Sequence, residues 1–90
     1  MVEVRIANPL RSLTGGIGRV VVEANDLDGV VRALESTHPG FSERVIDDHG
    51  RLRSYVLVFV GDQESRSMAG MATPVGPDAV VSIVAAVAGG

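Results

Sequence analysis

The sequence predicts an α+β fold, a mixed sheet of roughly four to five strands packed on one main helix. Three patterns carry the prediction. Val2, Val4 and Ile6 alternate with Glu3 and Arg5, the period of two of a half-buried strand. Leu27, Val30, Val31 and Leu34 fall at i, i+3, i+4 and i+7, which is one apolar helical face. Two apolar runs follow the helix, one through Tyr55–Val60 and one through Ala79–Ala85, each of strand length.

Taken in order, the first strand is broken by Asn8, Pro9 and the run Thr14-Gly15-Gly16-Ile17-Gly18, which reads as a loop or wide hairpin. This glycine run lacks the Lys-Ser/Thr of a phosphate-binding loop and does not lead into a helix. Ile17–Ala24 is the return strand, with Arg19 and Glu23 among valines. Asn25 and Asp26 are N-cap residues for the helix, and His38-Pro39-Gly40 ends it. Phe41–Ile46 is too short for a second full helix; it reads as a turn or 3₁₀ segment whose Phe41, Val45 and Ile46 plug the core. Asp47-Asp48-His49-Gly50 is a turn.

Leu52–Val60 is the strongest strand. Val56, Val58 and Val60 lie on one face and Tyr55, Leu57 and Phe59 on the other. One helix covers one face of a sheet, so the Tyr55, Leu57, Phe59 face is expected to dock a partner protein. Gln63–Ser67 is a weak edge segment, and Met68–Asp78 a long irregular connection rich in glycine and proline. Ala79–Ala85 is the last strand, with Val81 and Ile83 set against Val80, Ser82 and Val84. Two hairpin-joined strands, a crossover helix and later strands fit the β-grasp arrangement.

Composition narrows the function. Ninety residues make one small domain with one core. With no cysteine there is no disulfide, no catalytic thiol and no thiolate metal site. The net charge of −3 argues against a nucleic-acid partner. No N-terminal apolar leader is visible, and no apolar stretch approaches the ~20 residues that span a bilayer, so a cytoplasmic protein is expected. All eight basic residues are arginines, a pattern that codon bias produces. A functional alternative is that an activated C-terminus would meet no lysine on its own surface.

Few residues suggest catalysis. Asp47, Asp48 and His49 are metal-ligating types, but three adjacent turn residues seldom converge on one ion, and no metal is expected. No matched acid/base pair and no nucleophile elbow stands out. Arg51 and Arg53, with Arg44, read as a solvated edge; the functional alternative is a small basic rim that docks against an acidic partner.

The informative stretch is Ala79–Gly90, AVVSIVAAVAGG, an apolar strand that runs into small residues. The expected division is a β-grasp domain over 1–86 and a flexible tail over 87–90. Val87, Ala88, Gly89 and Gly90, fully extended, reach roughly 13 Å. Glycines without Cβ atoms can thread a narrow channel. A free α-carboxylate is an anion at neutral pH and a poor electrophile, so acyl chemistry there requires activation, for which ATP-dependent adenylation is the usual route.

Val87-Ala88-Gly89-Gly90, the strand Val81-Ser82-Ile83-Val84, the turn Pro77-Asp78 and the strand Tyr55–Val60 together resemble the MoaD/ThiS group of ubiquitin-like sulfur carriers. Ala86–Gly90, Phe41–Asp47 and Gly70-Met71-Ala72-Thr73 are most similar to its actinobacterial branch, which carries sulfur for cysteine synthesis. Ala85 stands where that family commonly has proline, and Gly61 where it often has asparagine. The resemblance implies a protein co-substrate that binds no cofactor and is not an enzyme. An E1-like partner would adenylate Gly90 with ATP and magnesium, and sulfur would displace AMP to leave a thiocarboxylate. In the cysteine branch that sulfur attacks an aminoacrylate on a pyridoxal-phosphate (PLP)-dependent cysteine synthase, and a metalloprotease releases the product. The alternatives the family offers are the small subunit of molybdopterin synthase, or a carrier for thiamine or a secondary metabolite. A binding module that never activates its C-terminus is the reading from a different class.

Overall fold

The computed structural model describes residues 1–8 and 10–85. Strand β1 is Val2–Ile6, β2 is Arg19–Val22, β3 is Val56–Val60, β4 is Gln63–Glu64 and β5 is Val80–Ala85. Helix α1 is Leu27–Thr37 and the short α2 is Phe41–Val45. The strands form one five-stranded mixed sheet in the order β2-β1-β5-β3-β4. β5 lies at its centre, parallel to β1 and antiparallel to β3. The sequence-predicted class therefore holds, with the last strand inserted between the first and third.

The inner face of the sheet is set by alternation. Val2, Val4, Ile6, Val22, Val56, Val58, Val81 and Ile83 are buried, and they form one cluster with Leu27, Val30, Val31 and Leu34 of α1. The helix begins where its cap dictates: the Asp26 carboxylate accepts from the Gly29 N–H at 2.8 Å, satisfying one of the free donors of the first turn.

Three local expectations shift. Phe41–Val45 is a single α-turn rather than a 3₁₀ segment. Gly40 at φ 97° turns the chain into it, a conformation that suits glycine. The Glu35 carboxylate closes the junction, accepting from Gly40 N–H at 3.0 Å and Ser42 N–H at 2.9 Å. Phe41 and Val45 are fully buried and plug the core as expected. β3 starts at Val56 rather than Leu52, because Leu52 bridges Ile46 and the Arg53 N–H donates to the Val45 carbonyl. The return strand β2 is four residues, since residues 10–14 form a 3₁₀ turn and the buried Thr14 hydroxyl bonds the Ile17 carbonyl at 2.6 Å.

Candidate functional site

The outer face of the sheet, opposite α1, divides down its middle. Strand register places Arg19 opposite Arg5, Arg5 beside Ser82, Ser82 opposite Phe59 and Phe59 opposite Glu64. One step along, Leu57 pairs with Val84. Leu57, Phe59, Val80 and Val84 are half-buried and lie outside the core cluster. β3 and β5 thus present an apolar half, and β1 and β2 a charged half.

Of the sequence-predicted docking residues, Leu57 and Phe59 come together here with Val84, which the sequence reading had not included. Tyr55 stands apart. It precedes β3 and is 44% exposed, and its hydroxyl reaches toward the Arg44 carbonyl at 3.4 Å, at the rim formed with α2. Val87, Ala88, Gly89 and Gly90 lie outside the described residues, as does the proposed boundary at residue 86.

The structure does describe the base from which that stretch continues. At its C-terminal end β5 is paired on both sides: the Ala7 N–H donates to the Ile83 carbonyl at 3.1 Å, and Ala85 pairs with Val56. Arginines flank this end. On the β3 side, the Arg66 guanidinium donates to the Val56 carbonyl at 2.9 Å and to the Arg53 carbonyl at 2.8 Å, while Arg53 Nε donates to the Glu43 carbonyl at 2.9 Å. Arg53 and Arg66 therefore tie the strand entrance to α2 as well as carrying charge. On the β1 side, Arg11 Nε donates to the Ile6 carbonyl at 2.8 Å. Sequence reasoning missed Arg11 and Arg66, because both bind main-chain carbonyls that only the folded chain brings within reach.

The charged half is an ordered network. Glu3 receives Arg5 Nε at 2.7 Å and an Arg19 terminal amine at 3.2 Å. Those bonds, Arg5 first, hold its carboxyl below the ordinary glutamate range. In the Asp47 turn, the carboxylate accepts from the Arg51 and His49 N–H groups, at 3.1 and 2.8 Å, and is likewise held low. One oxygen, Oδ1, takes both bonds and organises the turn. Among the described residues no group of three His, Asp or Glu side chains is placed to hold a metal ion, and no helix is long and apolar enough to cross a membrane.

A helix laid across one face of a five-stranded mixed sheet, with the last strand at the centre, defines a ubiquitin-like β-grasp protein. Comparison with known proteins narrows this. The chain is 37% identical over 91 aligned residues to the sulfur carrier protein CysO of Mycobacterium tuberculosis and of Mycobacterium bovis, covering 99% of this chain and 98% of theirs. The crystal structure of M. tuberculosis CysO superposes with a TM-score of 0.90 at 35% identity, covering 97% of this chain and 100% of that one. CysO in the Amycolatopsis orientalis BexX/CysO complex superposes with a TM-score of 0.93 at 30% identity over the whole of both chains. A scan against profiles of known protein families finds no match. The chain belongs to the CysO family of ubiquitin-like sulfur carrier proteins.

Proposed function

We propose that this protein is a sulfur carrier for cysteine synthesis, a co-substrate rather than an enzyme, working through the carboxylate of Gly90. In the first step the carboxylate oxygen attacks the α-phosphorus of ATP, held with magnesium on an E1-like partner; pyrophosphate leaves and an acyl-adenylate forms. In the second, a sulfur nucleophile adds to the acyl carbon and AMP leaves. Transfer of sulfide in this way yields a thiocarboxylate. That sulfur supplies the soft nucleophile that a cysteine-free chain otherwise lacks. A PLP-dependent cysteine synthase-type enzyme would receive it, and a metalloprotease would then free the product. Val87, Ala88 and Gly89 are the residues a partner's channel would read. Leu57, Phe59 and Val84, joined by Tyr55 at the rim, are the surface it would cover.

The observation that carries this reading is 37% identity to CysO over 99% of the chain, on a fold that places the last strand, β5, at the centre of the sheet. The BexX/CysO complex favours a protein–protein docking step for this chain also, with a BexX-like protein as one partner. Intact-mass spectrometry tests the chemistry. Incubation with an E1-like enzyme, ATP, magnesium and sulfide should exchange one oxygen for one sulfur on the C-terminal peptide. A variant with one residue added after Gly90 should fold normally and remain uncharged. Normal charging of that variant would overturn the proposal.

A further inference from the structure

On the outer face, between the β1–β2 hairpin and β5, lies an open hollow lined by Glu3, Arg5, Arg11, Gly18, Arg19 and Val84 among others. Three arginines and one glutamate give it a local charge of +2 (3 − 1), in a chain whose net charge is −3. Arg5 and Arg19 are joined through Glu3. Arg11 is placed differently. Its Nε is bound to the Ile6 carbonyl, and its guanidinium lies flat against Gly18, so close that a Cβ on that glycine would stand 2.6 Å from the guanidinium carbon. Gly18 has no positive φ to explain it; what it provides here is room for Arg11. Among the described residues no acceptor meets the terminal amines of Arg11.

The hollow is continuous with the apolar half of the face through Val84, which pairs with Leu57. A partner that covers Leu57, Phe59 and Val84 therefore covers the arginines as well. Burying that surplus positive charge without a counter-charge is strongly unfavourable, whereas a matched carboxylate forms short, bidentate bonds with guanidinium. We infer that the Arg5–Arg11–Arg19 hollow is a docking site for carboxylate side chains of the partner protein, set beside its tail-receiving channel, with Arg11 held ready by Gly18. This inference rests on the docking surface of the proposed function but not on the chemistry at Gly90. Such a site raises the association rate and makes docking salt-dependent, as charge pairs at an interface rim do.

The test is calorimetric and kinetic binding to A. orientalis BexX at low and high salt, with wild type, Arg11→Gln, Gly18→Ala, Arg11→Gln/Arg19→Gln, and Arg32→Gln as control. Arg32 pairs with Asp28 on α1, away from the hollow. Gly18→Ala keeps every charge and displaces only the flexible end of Arg11. The expected result is roughly tenfold weaker binding for Arg11→Gln, a smaller loss in the same direction for Gly18→Ala, and a flatter salt dependence for the double variant. Arg32→Gln should bind as wild type. The inference is overturned if wild type does not bind, if Arg11→Gln and Gly18→Ala bind as wild type, or if Arg32→Gln loses as much. A chain lacking Gly90 should keep the arginine dependence of whatever binding remains, so failure of the carrier chemistry and failure of this site give different results.

Discussion

Val58 and Phe59 are neighbours on β3 that point to opposite faces, so truncating each in turn separates folding from docking. Val58 is 2% exposed within the core cluster. Val58→Ala removes two methyl groups at about 0.8 kcal/mol each, and incomplete collapse of the cavity raises the cost to about 2 kcal/mol. For a domain of this size each kcal/mol moves Tm by about 4–8 °C, so a fall of about 8–16 °C is expected. Phe59 is half-buried on the outer face, opposite Ser82 and Glu64. Phe59→Ala should cost about 1 kcal/mol of stability, yet as an aromatic at the centre of a docking surface it should weaken binding by about 2 kcal/mol, roughly 30-fold. Urea and thermal unfolding give the first quantity, and titration against BexX the second. The reasoning fails if Phe59→Ala destabilises as much as Val58→Ala, or if it leaves BexX affinity unchanged.

Asp26→Ala removes the carboxylate that receives the Gly29 N–H and should cost about 1 kcal/mol, read as a Tm lower by about 4–8 °C with partner binding intact. Glu35 governs an acid-sensitive junction. Backbone N–H groups of Ser42, then Gly40, hold its carboxyl below the ordinary range. Its contribution is therefore fully present above the unfolded-state pKa of about 4.3 and is lost as pH falls through the lower folded value. Glu35→Gln should thus lower Tm at neutral pH, and the gap to wild type should close in acid; a gap that stays constant with pH would refute this.

What the sequence made legible was whatever a single element decides. The period-two pattern of Val2, Val4 and Ile6 sorted β1 into faces, and the i, i+3, i+4, i+7 set of α1 found its buried side, because burial acts on each element separately. Capping is local, so the sequence narrows the cap to Asn25 or Asp26, and the structure shows that Asp26 is the one whose carboxylate receives the Gly29 N–H. The shortening of β3 was not legible: Leu52 has strand character, but its partner is Ile46, and that pairing depends on where α2 packs. The candidate site shows the same boundary. Leu57 and Phe59 could be assigned to one face by alternation, whereas Val84 joined them only through the β3–β5 register. Glu3, Arg5 and Arg19 were visible as polar positions on strands, but their convergence needed the β1–β2 pairing, and the role of Gly18 needed the position of Arg11.

The central placement of β5 links the fold to its use. An edge strand can peel away at the cost of one ladder, but β5 is paired with β1 over Val80 to Ile83 on one side and with β3 over Val81 to Ala85 on the other. Detaching it would separate β2 and β1 from β3 and β4, which amounts to unfolding the sheet. The chain is therefore held firmly up to Ala85, and a partner grasping the residues beyond works against a fixed base. The same placement sets β5 along the line dividing the outer face. A protein that docks over β5 meets Leu57 and Phe59 on one side and Arg5 and Arg19 on the other, so apolar contact and charge pairing are read together. One half of the face alone can be matched by many surfaces. Both halves, in fixed register about the strand that leads to Gly90, restrict the match to a partner with a carboxylate-bearing edge beside an apolar one, and that geometry orients the chain end as it binds.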